Sequence, residues 1–596
     1  MEQFLFWYTG LLAVGMLGVL AFELVRTEIA ILSVLLLYLL AGVITDKEAF
    51  SGFSNEGMIT VAFLFVIASA LEATGVFSTL TQMLVGKKRG KLKPTLSRLL
   101  IPMAGLSAFI NNTPLMAILI PAVKEWCRRF NFPSSKLLLP VNYAVILGGT
   151  CTLIGTSTNL VVHGLLIEKG IPEGNPGFSF FEIGQIGIPV TIVGILAMTL
   201  VLHRFLPKRK EVTEDLGERV REFVVEMKVN NQFEHLGKSV ETAGLRKLRG
   251  LFLFQIERAN AVITPVDPTE RIEVADRLFF TGLPSTILEL QKNKGLDVVK
   301  DPHFDLKNYD SREVKTYEVV LSQTSPLIGR TVKETGFRSV YNAVILAIHR
   351  SGDRIDRKIG DIQFRAGDTL LILSDKDFHS RWYHAGEFLL VSQSVERRSK
   401  KKTQAIIAVV VGIAMVVAAT LEIVPMVIAA AVASLVLLFT RCLTSQEAFA
   451  AIDFGILVSI AGSFGIAKGL ENAGVAEAIG QLIVSLGTPY GIIPMVGAVY
   501  FATVVVTEIV SNNAAAAILF PIALSVATQM NLPIMPFVYA VTVGASCGFA
   551  TPIGYQTSLM VQGPGGYRFV DFLKVGIPMD IIVGVTAIAA ISYFCF

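Results

Sequence analysis

Residues 107–121 read SAFINNTPLMAILIP. Two adjacent amides, a threonine and a proline (Asn111, Asn112, Thr113 and Pro114) stand in the middle of a long apolar stretch. Polar groups removed from water are unfavourable unless something satisfies them. The flanks say where they sit. GKKRGKLKPTLSR (86–98) is densely basic, and so is KEWCRRFNFPSSK (124–136). Basic loops lie on the cytoplasmic side of a bilayer. An apolar segment with both ends on one side enters and leaves by the same face. Residues 99–123 therefore predict a re-entrant hairpin with Asn111 at its midpoint and the amides at its tip. The competing reading is one crossing with a polar kink.

Composition supports a membrane setting. Of 596 residues, 52% are hydrophobic and 17% charged, and the mean hydropathy is +0.59. A soluble chain carries more charge. Many apolar runs approach the roughly 20 residues that cross a bilayer as a helix. The expected fold class is a polytopic all-α membrane protein with a soluble insert. About two thirds of the 52 Lys and Arg fall between Pro207 and Thr403. The net charge of +4 thus reports topology, and no nucleic-acid polymer is expected as a partner. Five cysteines show no paired spacing, so no structural disulfide is expected. The N-terminal apolar run lacks a basic leader and has a later counterpart, so it reads as a permanent span.

The chain repeats itself. ITDKEAFSGF (44–53) matches LTSQEAFAAI (443–452), and LEATGV (71–76) matches LENAGV (470–475). FINNTPLMAILIP (109–121) matches IVSNNAAAAILFP (509–521). GGTCTLIG (148–155) matches GASCGF…IG (544–554), and FEIGQIGIP (181–189) matches VDFLKVGIP (570–578). Five landmarks in one order indicate an internal duplication. Residues 1–206 form a first transmembrane repeat and residues 404–596 a second. Spans are expected near 4–24, 28–45, 58–84, 137–165 and 183–205, then near 404–421, 424–441, 452–477, 531–560 and 575–595. The first hairpin lies at about 99–123 and opens inward. The second lies at about 490–525. Five crossings are odd in number, so the second repeat is inverted and its hairpin opens outward. The absence of Lys and Arg between Lys468 and Arg568 agrees. Both termini are then outside a plasma (bacterial inner) membrane, and the insert is cytoplasmic.

The insert, 207–403, is duplicated as well. LGKSVETAGLRKLRGLFLFQIER (236–258) matches IGRTVKETGFRSVYNAVILAIHR (328–350) at an offset of about 92. Short β-rich runs with one amphipathic helix per copy predict two small α/β modules, at about 215–300 and 310–390.

Inverted repeats with broken helices place substrate and ion sites at the repeat interface. Asn111-Asn112-Thr113 and Ser511-Asn512-Asn513 would lie at two opposed tips. IGTSTN (154–159) and IGYQTS (553–558) are Gly-containing polar interruptions of apolar spans, tolerated at membrane depth where they line a cavity or pack in protein. An Asn side chain can donate to an anion and offer its carbonyl to Na⁺, and helix N-termini favour anions. The bland reading of the interruptions is a small-residue packing surface.

These motifs resemble the divalent anion/Na⁺ symporter family, whose members carry sulfate, succinate or citrate. The tips are similar to its Ser-Asn-Thr signatures, and GGTCTLIGTSTN is similar to its GGTATLIGTPPN-like stretch. TPIGYQTSLMVQGPGGYRFVDFLKVGIP (551–578) resembles the subgroup with two TrkA-C modules inserted between the halves. The resemblance implies a homodimeric elevator transporter that is not an enzyme, with Na⁺ as coupling ion and no prosthetic group. It implies Na⁺ sites framed by Asn111, Asn112 and Gly155, and by Ser511, Asn512 and Gly554. Asn112, Thr113, Thr158, Asn512, Asn513 and Thr557 would face the substrate. Three positions depart from the pattern. Asn111 stands where Ser is usual and Asn513 where Thr is usual. Thr156-Ser157 and Tyr555-Gln556 replace Thr-Pro.

Sulfate is the expected substrate, because members with TrkA-C inserts are linked to it and the motifs hold no Arg or Lys to clamp a larger carboxylate. The alternatives are a C4-dicarboxylate or another oxyanion, an uncoupled anion channel gated by the insert, and a membrane receptor. The modules would bind a small regulatory ligand or scaffold the dimer. Glu72, Glu471 and Asp453 read as interfacial, and Glu508 as a hydrogen-bonded structural acid or a cation or proton partner. Seven histidines show no metal-ligand spacing. Gly237-Lys238-Ser239 lacks the first glycine of a P-loop.

Overall fold

The computed structural model describes residues 2–21, 25–74, 92–130, 132–173, 177–208, 224–245, 251–258, 261–263, 266–282, 295–299, 314–322, 325–350, 353–355, 359–375, 377–382, 387–392, 402–421, 423–487 and 491–596. Two compact units emerge. One comprises Met1–Lys208, Glu396–Val561 and Phe569–Phe596. The other comprises Arg209–Val395 with Gln562–Arg568.

The first unit is helical. Its first repeat contains α1 (Glu2–Ala21), α2 (Thr27–Leu40), α3 (Asp46–Phe50), α4 (Glu56–Ala73), α5 (Leu92–Ser107), α6 (Asn112–Arg129), α7 (Leu138–Gly149), α8 (Ser157–Lys169) and α9 (Gly184–Leu200). The second contains α10 (Lys402–Thr420), α11 (Met426–Phe439), α12 (Ser445–Ala451), α13 (Phe454–Asn472), α14 (Val475–Gly487), α15 (Ile492–Thr507), α16 (Asn512–Gln529), α17 (Met535–Ser546), α18 (Gln556–Gln562) and α19 (Phe569–Cys595). Element for element, the repeats correspond. Helix α14 was not expected as a separate element, and its counterpart region, 75–91, lies outside the described residues. That region includes the end of the expected span 58–84, and the Glu72 side chain is outside the description too.

Five of these helices are long and apolar enough to cross a membrane by length and composition. Burial sorts them. In α13, 67% of the span is buried, against 11% in α10. The first therefore packs at the centre and the second presents its apolar surface outward. The core is assembled reciprocally: α2 packs on α13 and α11 packs on α4, while α9 lies on α19. Each of the first two pairs is the image of the other under exchange of the repeats.

Several matched letters acquire a physical cause. Thr45 and Glu48 form a capping box at α3, and Thr444 and Glu447 form one at α12. Gly187 in α9 and Gly576 in α19 leave no room for a side chain. A Cβ would collide with the carbonyl of Thr150 in one case and of Phe549 in the other. These glycines let each closing helix lie directly on the break in its repeat. Asp453 caps α13 by accepting from the Ile456 N–H. Glu471 pairs with Lys169 of α8 at 2.5 Å, closer than Lys468 at 3.5 Å, and so ties the two repeats together. His163 accepts the Phe178 N–H. All five cysteines are free.

The second unit holds two antiparallel sheets. The strands are β1 (Val224–Val229), β2 (Leu251–Arg258), β3 (Ala261–Ile263), β4 (Arg277–Gly282), β5 (Leu296–Val298), β6 (Val314–Leu321), β7 (Ala343–Arg350), β8 (Asp353–Arg354), β9 (Thr369–Asp375) and β10 (Phe388–Ser392). The orders β3-β2-β4-β1-β5 and β10-β6-β9-β7-β8 are one topology read from opposite edges. The amphipathic helix expected in each copy is short or replaced. Residues 328–336 form turns that lead into a helix of five residues, Phe337–Tyr341. In the first copy the corresponding 236–245 are turns and 246–250 lie outside the described residues. Left-handed glycines at Gly237, Gly244, Gly329 and Gly336 break the helical period the letters suggested.

A duplicated ion pair locks each sheet. Arg258 grips Asp276 through two bonds of 2.8 and 2.9 Å, and Arg350 grips Asp368 through two of 2.7 Å. Both aspartates are fully buried. Hydrogen bonding to Asp276 holds the Arg258 guanidinium above its ordinary pKa. Burial pushes the Asp368 carboxyl up, and Arg350 opposes that rise.

Candidate substrate and ion site at the paired helix breaks

The stretch that opened the sequence is a helix–break–helix. Helices α5 and α6 are separated by Ala108–Asn111, and α15 and α16 by Glu508–Ser511. Helices α7 and α8 flank the Thr150–Thr156 break, and α17 and α18 flank Cys547–Tyr555. Pro114 falls in the first turn of α6, where a missing N–H costs nothing. Asn111 and Ser511 occupy N-cap positions with extended backbone, and neither side chain makes a capping bond. Thr156, the N-cap of α8, makes none either. No side chain therefore caps the first N–H groups of these three helices of 18, 18 and 13 residues.

The breaks meet across the repeats. The Asn112 amide donates to the Tyr555 hydroxyl at 2.5 Å. Thr156 is 3.3 Å from the same hydroxyl, which the Asn512 side chain approaches from the second repeat. Thr113 donates to Gln556 at 3.2 Å, and Ser157 donates to Asn513 at 3.2 Å. With tip residues matched at an offset of 400 and break residues at 399, these two bonds are images of each other. Thr158 also donates to Asn513, at 3.3 Å. Of the expected site residues, Asn112, Asn512, Thr113, Asn513 and Thr158 thus gather around one centre.

The tips are oriented from behind. Ser107 donates toward Asn112 Oδ1 at 2.6 Å and lies 2.7 Å from the Val145 carbonyl. Thr507 repeats this with Asn512 Oδ1 at 3.0 Å and the Ala545 carbonyl at 2.8 Å. A hydroxyl fixed on a neighbouring carbonyl sets which way each amide faces. Gly149 is closely packed: a Cβ there would stand 3.0 Å from Asn112 Oδ1 and 3.2 Å from the Gly155 carbonyl. Asn112 and Gly155, expected in one Na⁺ site, are therefore neighbours. Gly554 packs on Thr507 and Glu508 in the second break. Asn159 braces the first break by donating to Gly149 and Thr152 carbonyls at 3.1 and 2.8 Å. Across the repeats, Asn142 donates to Ser558 at 3.0 Å.

Three expected residues stand differently. Ser511 is exposed. Asn111 faces, with Ser157, a small cavity whose other walls are apolar side chains of α4, of the two breaks and α8 (Phe109, Ile110, Ile154 and Leu160), and Met415. Thr557 is fully buried, and its hydroxyl has no hydrogen-bond partner. Sequence reasoning missed Tyr555 and Gln556 as partners, having seen them only as departures from a pattern. It also missed Ser107 and Thr507. Their signal was available: hydroxyl residues matched between repeats, each five positions before the middle residue of a tip.

Comparison with known proteins agrees with this architecture. The model of the citrate transporter family, CitMHS, matches residues 17–544 and 494–596. A Chlamydomonas reinhardtii protein named as a regulator of the sulfur deprivation response is 34% identical, covering 96% of this chain and 98% of its own. An uncharacterized transporter of Synechocystis is 30% identical over 94% and 92% of the two chains. Sodium/sulfate cotransporter 1 of Chlamydomonas reinhardtii is 25% identical over 91% and 84%. The chain belongs to the citrate transporter family of membrane transport proteins.

Proposed function

We propose that the protein is a Na⁺-coupled symporter of a small divalent anion, with sulfate the preferred substrate. The carrying observation is the meeting of Asn112 and Thr156 on the Tyr555 hydroxyl, with Asn512 approaching it from the second repeat. Around it stand amides, hydroxyls and the uncapped N-termini of α6, α8 and α16. None of the residues in those bonds is Lys or Arg. Such a donor-rich, uncharged centre suits a compact oxyanion with acceptors on every side. Asn111, Asn112 and Gly155 would frame one Na⁺, and Ser511, Asn512 and Gly554 the other. Thr113, Thr158, Asn513 and Thr557 would complete the anion shell. Bringing a dianion into a cell costs about 4.6 kcal/mol per 100 mV of inside-negative potential. Two Na⁺ cancel that charge.

Reciprocal packing of inverted repeats supports alternating access by an elevator movement, with both hairpins re-entrant and opening to opposite sides. The working unit in this reading is a homodimer, with both termini outside. The two equivalent sheets of the insert support TrkA-C-like modules that regulate transport or scaffold the dimer from the cytoplasm. A sodium/citrate or dicarboxylate symporter is the second reading, and the family match favours it. Sulfate is preferred on the chemistry of the site and on the names of the sodium/sulfate relatives.

The test is uptake of radiolabelled sulfate into proteoliposomes, with and without an inward Na⁺ gradient, and with succinate and citrate as competitors. Saturable, Na⁺-dependent sulfate uptake is expected. Uptake indifferent to Na⁺ would remove the coupling, and stronger transport of citrate or succinate would move the assignment to the second reading.

A further inference from the structure

The two breaks share a backbone joint but not its charge. In the first repeat, the Thr152 hydroxyl donates to the Ala108 carbonyl. In the second, the Thr551 hydroxyl donates to the Glu508 carbonyl at 2.9 Å. Glu508 thus occupies the position of Ala108. A second exchange lies nearby. Gly187 and Gly576 are equivalent, so Thr191 of α9 corresponds to Asp580 of α19. Thr191 donates to the Leu147 carbonyl at 2.9 Å. Asp580 is an acid, 7% exposed.

Three successive N–H groups hold the two carboxylates. Phe549 donates to Asp580 Oδ1 at 3.1 Å. Ala550 and Thr551 donate to the two oxygens of Glu508, each at 2.7 Å. An N–H donated to each oxygen of Glu508 favours the ionised form of that carboxyl over the neutral one. A third polar group completes the cluster. The Tyr500 ring, and with it the hydroxyl, packs against α19 at Gly584, one turn beyond Asp580. That hydroxyl is fully buried and has no hydrogen-bond partner.

Nothing cationic faces this cluster among the described residues. The groups around Asp580 are Glu508, Tyr500 of α15 and Cys547, with Cys151 beyond. Helix α9, which packs on α19, carries no ionisable residue. Two acids without a counter-charge in a membrane protein call for one. Hard oxygen donors (two carboxylates and a phenol) suit a hard cation. Three N–H bonds already offset part of the charge, so one positive charge suffices.

We infer that Glu508, Asp580 and Tyr500 build a monovalent-cation site, occupied by Na⁺, that exists only in the second repeat. It is distinct from the sites framed by the tips and rests on the Na⁺-symport reading for its role in coupling. A third Na⁺ against a dianion would make transport electrogenic, so that an inside-negative potential drives uptake.

The experiment is binding of ²²Na⁺ to the purified full-length protein in a scintillation proximity assay, without sulfate. Compared with wild type, Asp580→Asn is expected to lose one saturable Na⁺ per chain. Tyr500→Phe, which keeps the ring packing, is expected to weaken one site by about threefold to tenfold. In proteoliposomes the Na⁺-to-sulfate coupling ratio of Asp580→Asn should fall by one. An unchanged Na⁺ count and coupling ratio in a monodisperse Asp580→Asn protein would overturn the proposal. So would an unchanged count together with loss of the pH dependence of transport, which would make the cluster a proton site. Binding is read without substrate, so a wild type that binds Na⁺ but does not transport sulfate would sink the substrate assignment and leave this site standing.

Discussion

Asn112 and Tyr555 are 443 residues apart, and the amide of one donates to the hydroxyl of the other at 2.5 Å. Each comes from a different repeat, one from a hairpin tip and one from a broken span. Asn512, the repeat partner of Asn112, approaches the same hydroxyl. Tyr555 thus stands between matched residues of the two repeats, although its own counterpart, Thr156, is a different residue. An apolar ring at 555 would keep the packing and remove the common partner.

Tyr555→Phe should accordingly lower Na⁺-dependent sulfate uptake by about tenfold to a hundredfold, with expression unchanged, because the hydroxyl is the acceptor of the Asn112 amide and the neighbour of Thr156. Asn112→Ala and Asn512→Ala should each abolish it. Initial uptake rates in proteoliposomes at saturating Na⁺ would check all three. Normal rates in both alanine variants would remove the site assignment.

The reciprocal bonds Thr113–Gln556 and Ser157–Asn513 predict equal couplings. Double-mutant cycles to alanine should give about 1 kcal/mol within each pair. The cross combination Thr113 with Ser157 should be additive to about 0.5 kcal/mol. The measurement is the apparent sulfate affinity across each cycle.

Ser107 and Thr507 act through the amides they orient. Ser107→Ala and Thr507→Val should each reduce apparent Na⁺ affinity by about fivefold, leaving the rate at saturating Na⁺ near wild type. Restoring a hydroxyl with Ser107→Thr should recover most of the affinity. Na⁺ titration of uptake reads the split.

In the insert, Asp368→Asn removes the charge that Arg350 grips in a buried setting, and should loosen the second sheet by about 3 kcal/mol. Asp276→Asn should be milder, because Arg258 also contacts Glu270 and Glu273. Hydrogen exchange of 343–350 and 369–375 in the full-length protein, compared with 251–258 and 277–282, distinguishes them.

The sequence alone determined the internal duplication and the positions of the helix breaks. A Gly or an Asn pair inside an apolar run interrupts a helix wherever it occurs, and a matched interruption 400 residues on cannot be local accident. It also placed Asn112, Asn513 and Thr158 at the centre, since each sits at such an interruption. It overcalled the insert's helices, where left-handed glycines turn the chain out of a period that the apolar letters still follow. Only the tertiary structure decided which polar groups meet. The pairing of Asn112 with Tyr555 follows from how helices from opposite ends of the chain are packed, and the gathering of Glu508 and Asp580 on the N–H groups of 549–551 from how α19 closes on the break before it. Periodicity records which face of a helix is buried, and a buried polar group chooses its partner from whatever the packing brings within about 3 Å.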